Sequence, residues 1–253
     1  MNKPFIGTRY FFATAPLPCP YLAGKVERRV VTELAGRDAS DLHDSLSLAG
    51  FRRSHGIAYS PACPDCNACV AVRILAKDFK PSKTQRRIWK RNADVQVESV
   101  DRVTNEQYRL FATYQQGRHA DGDMTKMDFL DYQRLVEETP VETTLLEFRD
   151  PDGSLIGACL TDFLGDGLSA VYSFYDNTDP KRSLGSYMIM WLVDRTVHLG
   201  LDHTYLGFWV EGCGKMAYKV RFQPLEGYTP SGWKQLTAED RLATWAEPNH
   251  TPF

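Results

Sequence analysis

Cys63, Cys66 and Cys69 stand in a C-x-x-C-x-x-C run, and Cys19 lies apart in the sequence PCPYL. Four soft thiolates suit a tetrahedral zinc ion or an iron–sulfur cluster, and reduced thiols used for packing or redox sensing meet the same spacing. A second set lies in Thr204–Phe222, TYLGFWVEGCGKMAYKVRF. Its first part alternates as a strand does, with Tyr205, Gly207 and Trp209 on one side and Leu206, Phe208 and Val210 on the other. Gly212 and Gly214 break the strand, and Cys213 between them is a candidate thiol nucleophile with no evident histidine partner. From Lys215 the spacing predicts a helix to Phe222, with Lys215 and Lys219 one turn apart. A basic helix start after a glycine turn can bind an anion, although an ordinary packed strand–helix unit has the same spacing. A third set is the tract Lys77, Lys80, Lys83, Arg86, Arg87, Lys90 and Arg91, with Asp78 as its only acid and Trp89 among the cations. That mixture grips phosphate and stacks on bases, or else forms a solvated face.

These residues need elements to hold them. Pro16, Pro18, Pro20, Pro61 and Pro64 argue against long regular elements around the cysteines, so residues 1–100 read as a compact N-terminal domain ending in the basic tract. Within it, Leu42, Leu46 and Ala49 keep helical spacing until Gly50, and Val70–Leu75 reads as a strand. Residues 101–253 read as a second domain. Thr104 is a plausible N-cap for a helix, and helical spacing returns near Met127–Val136. Thr143–Arg149, Leu155–Phe163 and Leu168–Tyr175 are strand-like runs separated by DPDG and GDG, which predicts an antiparallel meander. Cys159, inside one of these runs, reads as a small buried hydrophobe. A helix at Ser186–Leu199 and the Thr204–Val210 strand follow, giving the order β-β-β-α-β-α and an α+β fold class.

Four segments, in order, carry a resemblance over nearly the whole chain: GFRRSHGIAYSPACPDCNACVAVRI (Gly50–Ile74), TQRRIWKRNADV (Thr84–Val95), DPKRSLGSYMIMWLVDRTVHLGL (Asp179–Leu201) and the Thr204–Phe222 segment. They are similar to the bacterial aspartate/glutamate leucyltransferases, relatives of the eukaryotic arginyl-tRNA–protein transferases. The resemblance implies transfer of leucine from leucyl-tRNA to proteins that begin with Asp or Glu, marking them for N-end rule degradation. It implies an N-acetyltransferase-like C-terminal fold behind a small Cys-containing domain. Under it, Arg86, Arg87, Lys90 and Arg91 would bind tRNA, with Arg182 and Gly185 at the start of the Ser186 helix. Arg52, Arg53, Arg73, Lys215 and Trp209 become substrate-binding candidates, Arg being suited to bidentate carboxylate pairing. Tyr172, Tyr175, Asp176, Tyr205 and Lys219 become catalytic candidates, the first four because such a fold places its reaction cleft at these strand ends. Eukaryotic relatives use N-domain cysteines for metal or cluster binding in a different arrangement, so the Cys19, Cys63, Cys66 and Cys69 set is a metal expectation without an assigned ion.

An aminoacyl ester is already activated toward amines, so no cofactor is expected for transfer itself. A coenzyme A-dependent N-acetyltransferase is the alternative enzyme. The run Arg182-Ser183-Leu184-Gly185-Ser186-Tyr187 nearly matches its R-x-x-G-x-G/A loop, but Tyr187 puts a ring where backbone should approach pyrophosphate. Arginine as donor, or a non-catalytic RNA-binding module, are the further readings. The formal charge of -2 over 253 residues says little about partners. No run approaches the ~18 apolar residues of a membrane span, so a cytoplasmic protein with reduced cysteines is expected.

Overall fold

The computed structural model describes residues 8–236 except 119 and 121. In chain order the strands and helices are β1 (Phe12–Ala13), β2 (Leu17–Pro18), β3 (Val26–Glu27), β4 (Arg29–Glu33), α1 (Ala39–Leu48), β5 (Arg52–Ser54), β6 (Ile57–Pro61), β7 (Cys69–Leu75), α2 (Lys83–Arg91) and β8 (Gln96–Val100). They continue with α3 (Asn105–Arg118), α4 (Phe129–Glu137), β9 (Thr143–Arg149), β10 (Leu155–Leu164), β11 (Gly167–Tyr175), α5 (Leu184–His198), β12 (His203–Val210), β13 (Leu225–Thr229) and β14 (Gly232–Gln235).

The helices begin where side chains can satisfy free N–H groups. Ser82 with Gln85 at α2, Thr104 with Gln107 at α3 and Asp128 with Asp131 at α4 each form reciprocal capping boxes. On α2 the buried residues are Gln85 and Ile88, one turn apart, and Gln85 Nε2 donates to Arg221 O at 3.1 Å. That narrow seat leaves Arg86, Arg87 and Lys90 in solvent.

An eight-stranded sheet runs β14-β13-β7-β12-β11-β10-β9-β8. The predicted β9-β10-β11 meander is antiparallel throughout, with a bulge in β11 opposite Leu160/Thr161. The sheet also takes β7 and β8 from the first hundred residues. One face carries α5, where Met188 and Leu192 pack on Ile74, Phe148, Leu206 and Trp209. The alternate residues meet α3 and α4, where Phe111 and Tyr132 pack on Leu145, Ala158 and Phe174. A smaller sheet, β1-β4-β6-β5, brings Tyr59 against Phe208 and Val210 of β12.

The helix expected from Lys215 to Phe222 is a 3-10 run over Gly214–Arg221 instead. With about three residues per turn, side chains four apart no longer share a face. Lys215 is exposed and Lys219 is buried.

Candidate active site at a split in the sheet

β11 and β12 run parallel, joined through α5, and pair only at Gly167↔His203, Leu168↔Thr204 and Ser169↔Tyr205. Beyond Ser169 the strands separate. β11 bulges there, and β12 bulges against β7 between Tyr205 and Gly207. A bulge bends its strand and raises local twist, so two at one level open the ladder. Past the split, no strand among the described residues lies beside β11 on that edge, which leaves backbone groups beyond Ala170 O open to a ligand.

Arg52 closes the bottom of the split. It donates to Ser169 Oγ at 2.9 Å and to Ala170 O at 2.7 Å on β11, while its guanidinium lies over Gly207 of β12. Gly207 has φ +80°, and a Cβ there would stand 3.1 Å from Arg52 Nε, so both backbone and contact require glycine. Lys219, 5% exposed, donates its Nζ to Phe208 O at 2.6 Å on the same strand. Burial, and then the nearby Arg52 charge, lower the Lys219 pKa from its ordinary value to about 7. Burial likewise lowers that of Arg52. Among the described residues no carboxylate lies within ion-pair distance of either cation. Asp162, the nearby acid, is held by Arg53 and His43.

Tyr218 lies beside this pair, with Lys219 Nζ 5.8 Å from its ring centre, and other tyrosines follow along β11. Tyr172 on β11 accepts a hydrogen bond from Gln115 Nε2, and Tyr175 accepts one from Arg118 at 3.3 Å. The Tyr114 ring packs at a tilt against Tyr175, with centroids 5.0 Å apart. Burial raises the Tyr172 pKa. Tyr218, 40% exposed, has Tyr175 and Arg52 as neighbours. Gly185, at the entry to α5, lies under the Tyr175 ring, where a Cβ would come within 2.9 Å. Gln115, Arg118, Tyr114 and Tyr218 were not among the sequence candidates. The i, i+3 and i, i+4 spacing of Tyr114, Gln115 and Arg118 at the end of α3 was the signal available.

Other expected site residues are engaged elsewhere. Arg53, next to Arg52, points the opposite way and pairs with buried Asp162 at 2.6 Å, joined by His43 and Thr143. Burial opposes ionisation of Asp162, but hydrogen bonds from His43 and Arg53 hold its pKa at about 2. Arg53 is therefore engaged in a buried ion pair away from Arg52. Arg73 lies at 2.8 Å from Glu226, 3.1 Å from Tyr205 Oη and 4.2 Å from the Trp233 ring centre. Tyr205 also donates to Asp166, at the closed end of the split and away from Tyr175. Asp176 accepts from the Thr178 N–H and hydroxyl, both at 2.8 Å, and so shapes the turn after β11. Arg182 is bound by Asp150 at 2.6 Å and by Asn92 Oδ1 at 2.9 Å. Lys215 is exposed outside the split, and Trp209 is buried on the α5 face with its Nε1 unpartnered among the described residues.

Cys19, Cys63, Cys66 and Cys69 are free and partly exposed. Burial, then the other three thiols, push Cys69 up to about 12, which places the four near one another. Leu22 N donates to Cys19 Sγ at 3.4 Å, and Cys63 donates to Arg28 O at 3.7 Å. Among the described residues, no three of His, Cys, Asp or Glu are gathered to hold a metal ion. Buried Cys159 is raised to about 11 by its burial, as a packing residue would be. No helix among the described residues is long and apolar enough to cross a membrane.

Two family models match the chain: arginine-tRNA-protein transferase, N terminus, over residues 17–87, and arginine-tRNA-protein transferase, C terminus, over 106–229. An aspartate/glutamate leucyltransferase of Paramagnetospirillum magneticum is 53% identical over 91% of this chain and 95% of its own. One of Rhodospirillum rubrum is 54% identical over 92% and 94%. Among solved structures, FemX overlays with a TM-score of 0.45 at 9% identity, covering 72% of this chain and 63% of its own. With the two family models matching residues 17–87 and 106–229 and leucyltransferase relatives more than half identical over nine-tenths of its length, the chain belongs to the arginine-tRNA-protein transferase family, among the aspartate/glutamate leucyltransferases.

Proposed function

We propose that the protein transfers leucine from leucyl-tRNA to the α-amino group of proteins beginning with Asp or Glu, with the split between β11 and β12 as the reacting site. One observation carries this reading: Arg52 and Lys219 stand together at the split with no carboxylate partner among the described residues. Burying cations without an acid is unfavourable unless a ligand supplies one, and the side chain of an N-terminal Asp or Glu does so.

With that carboxylate on Arg52 and Lys219, the neighbouring α-amine reaches the ester carbonyl carbon from the open edge of β11. A C–N bond forms, the carbonyl oxygen takes the negative charge, and the C–O bond to the ribose then breaks. The amine's proton leaves for the departing ribose oxygen or water. Phenols of Tyr172 and Tyr175, with free N–H groups of β11, are the donors for the oxyanion. A free α-amine, of pKa ~7.7–8.0, is already partly neutral near pH 7, so orientation, worth about 7–11 kcal/mol, does most of the work. The ester needs no further activation, and the transfer is proposed to run without a cofactor. Exposed Arg86, Arg87 and Lys90 on α2 are the proposed tRNA grip, and a tRNA donor is met in the cytoplasm, where the protein is proposed to act.

The test is transfer of radiolabelled amino acids from a charged tRNA pool onto peptides differing only in their first residue. Leucine on Asp and Glu peptides, and not on Ala or Lys peptides, is the expected result. Equal labelling of the Ala peptide overturns the acceptor assignment, and labelling by arginine overturns the donor.

A further inference from the structure

The basic helix α2 is fastened to the entrance of α5, and the residue that does it is Asn92, at 0% exposure. Its Nδ2 donates to Ile88 O at 2.9 Å in the last turn of α2 and to Arg182 O at 2.9 Å, while its Oδ1 accepts from Arg182 Nε at 2.9 Å. Both amide hydrogens and the carbonyl oxygen are thus used, two of the three contacts crossing to another segment. Arg182 is held from its other side by Asp150 at 2.6 and 2.9 Å. Arg91 adds a bond to Lys181 O, and Trp89 of α2 lies against Tyr187 of α5 with ring centroids 5.5 Å apart.

The segment so clamped is not a neutral place. Ser183, which follows Arg182, has φ 51° and ψ 47°, a left-handed conformation that a non-glycine residue holds only when its surroundings fix it. Two residues later Gly185 lies under the ring of Tyr175 at the mouth of the split. A continuous chain of contacts therefore runs from α2 through Asn92, Arg182 and Ser183 to Gly185 and Tyr175.

We propose that Asn92 is a positioning residue that fixes the RNA-gripping face of α2 against the split, so that a charged tRNA held by α2 presents its ester at Tyr175. This rests on the reading of α2 as the tRNA grip. Asn92 itself touches neither RNA nor the reacting atoms. Its loss leaves the phosphate contacts of Arg86, Arg87 and Lys90 in place but lets α2 shift against α5. A misplacement of about 1 Å at a reacting centre lowers rates up to about a hundredfold.

The test compares Asn92→Ala, Asn92→Asp and Arg182→Lys with wild type. Each is measured for leucyl-tRNA affinity across a salt series, single-turnover transfer at saturating leucyl-tRNA, and KM for an Asp peptide. Asn92→Asp keeps the acceptor for Arg182 but loses both donations, and Arg182→Lys keeps a cation for Asp150 but loses the Nε contact. If Asn92→Ala fails to fold, these two carry the test. The expected result is affinity and salt slope near wild type, acceptor KM near wild type, and a single-turnover rate about ten- to a hundredfold lower. Wild-type single-turnover rates in the folded variants, with only a lowered Tm, overturn the proposal and make Asn92 a fold residue. Arg86→Ala with Arg87→Ala is run in parallel. If that pair leaves tRNA affinity and salt slope unchanged, the reading of α2 has failed. If it weakens binding while the Asn92 variants transfer normally, only the coupling has failed.

Discussion

Lys219→Met removes the buried ammonium at the split while keeping most of the side-chain volume. In wild type the group is 5% exposed, bonded to Phe208 O at 2.6 Å, and shifted from 10.5 to about 7. At 1.36 kcal/mol per pKa unit, that shift corresponds to on the order of 5 kcal/mol of unfavourable burial as an upper bound. Removing the amine leaves the Phe208 carbonyl without this donor, which costs about 1–3 kcal/mol in return. The free variant should therefore be as stable as wild type or more stable at pH 7. The folded pKa lies below the unfolded one, so between about 7 and 10.5 the unfolded state binds more protons and wild-type stability rises with pH. The stability difference between variant and wild type should shrink across that window, read as Tm at pH 7, 8 and 9. In transfer assays the lost charge-assisted contact is worth about 1.5–3 kcal/mol, or roughly ten- to a hundredfold in KM for the Asp peptide. If only protonated Lys219 accepts the carboxylate, wild-type KM should rise about fivefold from pH 7 to 8, and the variant's should not. Binding of leucyl-tRNA should be unaffected. An unchanged acceptor KM together with an unchanged kcat refutes the pocket role. A rise in KM for leucyl-tRNA alone moves Lys219 to the RNA side.

Three further outcomes test other parts of the structure. Arg86→Ala with Arg87→Ala should weaken tRNA binding and reduce the slope of log K against log salt by about two, with the fold intact; a normal slope makes the tract a solvated face. Asp162→Asn should destabilise the protein by about 3–5 kcal/mol by leaving Arg53 buried without its acid, measured by urea unfolding. Because the Asp162 pKa is held at about 2, below the ordinary carboxylate value, its contribution is present above about pH 4 and fades as pH falls toward 2, and the variant's acid-unfolding curve should lack that step. Gly207→Ala puts a Cβ at φ +80° and 3.1 Å from the Arg52 guanidinium, so it should lower stability by about 1–2 kcal/mol and raise acceptor KM by displacing Arg52; an unchanged KM separates Arg52 from the acceptor.

Much was legible before any coordinates, because it is written in local patterns. The capping residue Thr104, the hydrophobic repeat of α1 and the turn signals between β9, β10 and β11 act over a few residues, and the structure places those elements as expected. Long ordered motifs likewise pointed to the family, and the cations of α2 are exposed as their density suggested. The site was decided by partners far away in sequence. Arg52 and Arg53 are adjacent and chemically identical, but strand alternation sends Arg53 to Asp162, 109 residues on, and Arg52 to Ala170, 118 residues on. Lys215 and Lys219 were placed one turn apart on a helical period, Lys215 as a substrate-binding and Lys219 as a catalytic candidate, and the tighter 3-10 run buried Lys219 and exposed Lys215. Tyr172, Tyr175 and Tyr205 all belong to the strands that separate, but which lie at the open end depends on a register that pairs only three residues of β11 and β12. The sequence by itself determined the β9-β10-β11 meander, the helices α1, α3, α4 and α5, the family and the presence of a basic tract, whereas the helical form of that tract appeared only in the structure. Which of its cations and tyrosines face the split was set by strand register and by the burial of competing acids, and both are properties of the folded chain alone.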